Sequence, residues 1–155
     1  SALRLASTFG AAILRAPLPP AGEVPPAAFV AAASAAKGAS KAAKRLNVTL
    51  VVPARAGTLA DDPNGVRHLL KDVDSAWLRA CPRAVDEPAA WGPKDRFPAF
   101  EASVEDDPQR VVARAGFGWL ILDAPVTLER PWERLGAAIG ALRAVRPDLR
   151  VPAER

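Results

Sequence analysis

The chain has one cysteine, one histidine, no methionine and no tyrosine. A single Cys81 excludes an internal disulfide, and Cys81 with His68 alone cannot supply the usual Cys/His ligand sets of a structural zinc. No apolar run approaches the roughly 20 residues that span a bilayer, so no transmembrane helix is expected and the chain reads as soluble. Acid is scarce at one end: residues 1–58 hold seven Lys/Arg and only Glu23. Residues 59–108 reverse the balance with eleven Asp/Glu against six Lys/Arg, and residues 109–155 return to eight bases against five acids. A net charge of +4 therefore conceals a polarised chain that can steer an anionic partner or draw its own segments together.

Half of the 155 residues are apolar, many of them alanine, and the length suits one ordinary domain. The sixteen Arg against five Lys accompany abundant Ala and Pro, a pattern of GC-rich coding, so the arginine excess is not itself a functional signal. Residues 1–22 carry Arg4, Ser7, Thr8 and Arg15 and no acid, the composition of an organellar presequence. A cytoplasmic location is expected, with an organelle matrix as the alternative.

Five prolines, Pro17, Pro19, Pro20, Pro25 and Pro26, forbid a helix and predict an extended linker, so residues 1–26 read as an arm and residues 27–155 as a single domain. Within the arm, residues 2–15 suit a short helix better than a strand. From Ala27 to Leu46 the run is alanine-dominated and places Phe29, Ala32, Ala33, Ala36, Ala43 and Leu46 on one face, which predicts a helix ended by Asn47. Val48–Pro53 is short, apolar and β-branched, as in a buried strand. After the turn at Asp62–Gly65, Val66, Leu69, Leu70, Val73, Trp77, Ala80 and Cys81 recur at helical spacing, with Pro82 as the stop. Residues 82–98 read as a long proline-rich loop pinned by Trp91 and Phe97.

Three strands are expected next, at Ala99–Val104, Arg110–Arg114 and Trp119–Leu122, forming an antiparallel meander whose last strand is buried on both sides. Pro131 opens a closing helix with Trp132, Leu135, Ile139, Leu142 and Val145 on its packed side. The expected fold is thus α+β, a mostly antiparallel sheet of about four strands covered by three helices.

Lys37, Lys41, Lys44 and Arg45 fall at i, i+4, i+7 and i+8 on the first long helix and form a basic stripe able to meet phosphates or an acidic surface. Cations near a helix C-terminus are also favoured by the backbone dipole. No aromatic interleaves with the stripe, so base stacking is not supported. A second candidate is the loop after the Val48–Pro53 strand, where Arg55 and Thr58 could bind an anion and Asp61, Asp62 or the strand-end Asp123 could act as base or metal ligand. That loop lacks the glycine spacing of either common phosphate-binding loop. His68, Asp72 and Ser75 share a helix face, but seven residues separate the outer pair by about 10 Å, too far for a nucleophile and its base. Gly136, Gly140 and Ala144 form a small-residue ridge suited to helix packing within the chain or in a homo-oligomer.

Leu120–Thr127 superficially resembles the strand that carries the catalytic acid of nucleotide-hydrolysing ATPases, but Ala124 stands in the place of that acid and no Walker A loop is present. The helix, three strands, helix order of residues 64–146 resembles that of double-stranded RNA-binding domains. Their last helix starts lysine-rich, whereas this one opens Pro131, Trp132, Glu133, Arg134, and no family is assigned. The sequence points to a non-catalytic interaction module or adaptor, a subunit of a larger assembly. Lys37, Lys41, Lys44 and Arg45 would meet an anionic partner, and Trp91 and Phe97 would make a hydrophobic contact. The alternatives are a small enzyme for an anionic substrate and sequence-independent nucleic-acid binding. No metal or cofactor is expected.

Overall fold

The computed structural model of the chain describes residues 1–20, 26–59, 61–86, 91, 97–115, 118–124 and 129–150. These form five helices and two small parallel sheets, of three and two strands. This corrects the expected antiparallel four-strand sheet under three helices. The chain divides into two compact units, one of Ser1–Pro82 with Phe97–Ala99 and the other of Arg83–Arg96 with Phe100–Arg155.

In the first unit, the N-terminal segment supplies both a helix, α1 (Ala2–Thr8), and a strand, β1 (Ile13–Arg15), where a helix alone is expected from the sequence. Gly10, at φ 69°, makes the turn between them at a dihedral few other residues tolerate. The alanine run is α2 (Pro26–Leu46), terminated by Asn47 at φ 54° and followed by β2 (Thr49–Pro53). In β2, Leu50, Val51 and Val52 are all buried. Burial on both faces is normal for the central strand of a parallel sheet and explains the unbroken apolar run. The sheet order is β1-β2-β3, with Leu14 paired to Leu50 and Leu50 paired to Leu78, every pair parallel.

The helix expected to reach Cys81 stops much earlier. Here α3 (Pro63–Val73) begins with the Asp62 carboxylate accepting the Gly65 N–H at 2.7 Å and ends at Asp74, whose φ of 47° is left-handed. The chain then turns, with the Ser75 hydroxyl accepting the Trp77 N–H at 3.2 Å, into β3 (Leu78–Cys81). Leu78, Ala80 and Cys81 are buried while Arg79 is exposed, and Leu50 to Pro53 of β2 pair with Leu78 to Cys81 in turn. Trp77, Ala80 and Cys81 happen to continue the helical spacing of Val66 and Val73, which hid the break.

In the second unit, β4 (Ala99–Ser103, its first residue counted with the first unit) is followed by α4 (Pro108–Ala115), β5 (Trp119–Asp123) and α5 (Pro131–Val145). The segment Arg110–Arg114, expected as a strand, is helical. Asp107 Oδ1 accepts the Gln109 N–H at 2.7 Å and the Arg110 N–H at 3.4 Å, and Pro108 takes the first helical position. An N-cap with proline behind it outweighs the β preference of Val111 and Val112. Because β4 and β5 are parallel, they need a crossover rather than a hairpin, and α4 provides it. Phe100, 1% exposed, anchors this unit, with the Arg114 guanidinium 5.5 Å from its ring centre. Residues 83–84 run alongside β4, the Ala84 N–H donating to the Glu101 carbonyl at 2.7 Å. β5 is not buried on both sides as expected: Trp119 is half-exposed and the other four residues are partly covered. No helix among the described residues is long and apolar enough to cross a membrane.

Candidate functional site

Nearly half of the residues of α2 are alanine, whose small side chains let α3 pack alongside. Ser40 and Ala43 are buried on the packed side, and Ser40 Oγ donates to the Lys37 carbonyl at 3.0 Å. The Phe29 ring makes a specific contact, stacking on His68 of α3 with centroids 4.9 Å apart. With that face against the sheet and α3, the opposite face presents Lys37, Lys41, Lys44 and Arg45, all exposed. At 1.5 Å per residue they span about 12 Å of the helix. No acid occurs between Pro26 and Leu46, and none of the four cations makes an ion pair among the described residues.

The loop after β2 is arranged by its own backbone. Thr58 Oγ1 donates to the Arg55 carbonyl at 2.8 Å, Gly57 adopts φ 74°, and the Leu59 N–H reaches the Pro19 carbonyl at 3.3 Å. Pro20 and Thr58 form an isolated antiparallel bridge, so the segments after β1 and β2 meet beyond the carboxyl ends of their strands. Asp62 is engaged as the cap of α3 and Asp61 is exposed. Asp123 ends β5 in the other unit, its carbonyl accepting the Val104 N–H at 3.2 Å. Ligand crevices of open parallel sheets form where the strand order reverses. The order β1-β2-β3 contains no reversal.

His68 Nε2 lies 3.9 Å from Asp72, both side chains well exposed, and the Ser75 hydroxyl belongs to the turn before Trp77. His68 serves packing through its stack with Phe29, and Ser75 serves turn geometry. Cys81 is fully buried in β3, not on a helix as its spacing suggests. Trp91 is buried, with its indole N–H donating to Asp86 Oδ2 at 3.0 Å, and Phe97 is partly exposed and belongs to the first unit. No group of three or more His, Cys, Asp or Glu is placed to hold a metal ion among the described residues.

The second unit contains a cleft of about 430 Å³, lined in part by Ser103, Asp106, Val111, Leu122, Arg134 and Leu142. Its polar groups already face protein partners. Asp106 Oδ2 accepts the Ser103 N–H at 2.7 Å, Asp106 Oδ1 lies 3.5 Å from Arg83, and Arg134 lies 3.6 Å from Glu105. Polar groups paired along a wall do not converge on a ligand, which a small-molecule site requires.

Three apolar residues expected in the core are at the surface. Trp132 and Val145, expected on the packed side of α5, are 82% and 41% exposed, and Trp119 is 50% exposed. The signal was present: at about 100° per residue, Trp132 lies at the edge of the arc centred on Leu142. No protein-family model and no curated protein sequence matches this chain.

Proposed function

We propose that this chain is a non-catalytic interaction module, a subunit or adaptor of a larger assembly, that meets an anionic surface of its partner through α2. One observation carries the reading: Lys37, Lys41, Lys44 and Arg45 are exposed on one face of a helix without acid, and no described residue neutralises them. The positions offered for chemistry support it from the other side. Asp62 caps α3, the Thr58 hydroxyl closes its own turn, and Ser75 shapes another.

The test is affinity capture from source-cell lysate with wild type and a variant carrying Lys37→Glu, Lys41→Glu, Lys44→Glu and Arg45→Glu, its folding checked by circular dichroism. A partner retained by wild type and lost by the folded variant supports the reading; equal retention by both refutes it. Should the retained material be nucleic acid, four phosphate contacts require affinity to fall roughly 150-fold between 50 and 200 mM salt.

A further inference from the structure

The outward face of α5 carries an exposed indole and a charge pattern with two-fold symmetry. Trp132, Gly136, Gly140 and Arg143 lie within about 80° of one another around the helix, and Glu133 and Ala144 extend that arc to about 120°. Trp132, Glu133, Gly136, Gly140 and Ala144 are exposed and Arg143 is partly so. Leu142, on the other side, is buried, so this arc faces away from the unit's core. A Cβ added at Gly136 or Gly140 would meet nothing within 4 Å, so the middle of the arc is open and flat.

Flatness alone identifies no occupant; the arrangement around it does. Trp132 and Ala144, Glu133 and Arg143, and Gly136 and Gly140 are each placed symmetrically about the level of Ala138. A two-fold axis through that level, perpendicular to α5, would set each residue opposite its mate on an antiparallel copy. Each Trp132 indole then covers the Ala144 end of the other helix, and each Glu133 faces an Arg143 at both ends. The two glycines let the backbones approach at the centre. A large side chain at one end, small ones in the middle and opposite charges at mirrored positions make a self-complementary patch, as an isologous interface requires. Among the described residues Glu133 pairs with Arg130, at 3.2 Å, in an exposed i, i+3 pair of little energetic weight.

We infer that α5 is a homodimerisation surface, its occupant being α5 of a second copy in antiparallel orientation. The inference is independent of the α2 reading. One helix pair is a small interface, so the dimer is weak and concentration-dependent.

Sedimentation velocity of the full chain over a concentration series tests it. Wild type should rise from 16.3 kDa toward twice that mass. Glu133→Arg or Arg143→Glu alone places like charges at both ends and should raise the concentration for half-association about tenfold, an effect of two exposed pairs lost and replaced by repulsion. The double variant Glu133→Arg/Arg143→Glu restores both pairs and should recover the wild-type value. Gly140→Leu, whose side chain has open space in the monomer, should abolish association without lowering the melting temperature of the dilute protein, since leucine suits a helix interior better than glycine. A wild type that stays at monomer mass throughout overturns the inference, as does a dimer insensitive to the single charge changes or to Gly140→Leu. Failure of the folded double variant to recover overturns the antiparallel pairing.

Discussion

Replacing Asp74 by glycine should stabilise the protein, and the sign of that change discriminates between two readings of residues 64–81. Asp74 follows the last residue of α3 at φ 47° and ψ 59°, with its N–H bonded to the Leu70 carbonyl. A left-handed backbone costs an L-residue roughly 1–2 kcal/mol, less for aspartate, and glycine escapes it. Against that, glycine loses about 0.5–1 kcal/mol more conformational entropy on folding. The carboxylate also sits at the negative end of the helix dipole, an unfavourable placement worth about 0.3–1 kcal/mol that the substitution removes. The net expectation is about 0.5–1 kcal/mol of stabilisation, or a rise of about 1–4 °C in Tm for a chain of this size. Asp74→Ala removes the charge but keeps the backbone strain, so the expected order is Asp74→Gly above Asp74→Ala. In an unbroken helix to Cys81 the order inverts, since glycine is about 0.8–1 kcal/mol worse than alanine inside a helix. Thermal and urea melts of the three proteins give the order directly, and alanine above glycine would refute the break at Asp74 and the parallel strand that follows.

Leu69 is fully buried on α3, so Leu69→Ala should cost about 2–5 kcal/mol in urea unfolding, whereas the partly exposed Leu70 should cost clearly less on the same substitution. Cys81 is fully buried in β3, so its thiol should fail to react with a colorimetric disulfide reagent in native buffer and react at once in denaturant. Rapid native reaction would contradict the burial.

The elements legible in the sequence were those with a clear boundary signal. The alanine run closed by Asn47 corresponds to α2, the β-branched run after it to β2, and Pro131 to the start of α5. Two local signals separate the observed fold from the antiparallel expectation. Val111 and Val112 favour a strand at Arg110–Arg114, but the decisive residues, Asp107 and Pro108, lie just before it and open a helix. Trp77, Ala80 and Cys81 extended a helical period across a left-handed residue that no periodicity count detects. Once the strand moved from Arg110–Arg114 to Leu78–Cys81, each hairpin became a crossover and the pairing became parallel. Exposure of Lys37, Lys41, Lys44 and Arg45 follows from helical spacing, since charged side chains off the apolar face of α2 stay in water. Burial of Trp91 depends on the Asp86 acceptor, which is not written in local pattern.

The most direct test of the interaction reading places a photo-crosslinking residue at position 41, within the stripe of α2, and separately at position 79, exposed on β3, in protein made in its own cells. The account predicts one defined crosslinked species at position 41, absent at position 79 and lost when Lys37, Lys44 and Arg45 are changed to glutamate. Crosslinking that is indifferent to position, or that persists after those changes, would contradict it.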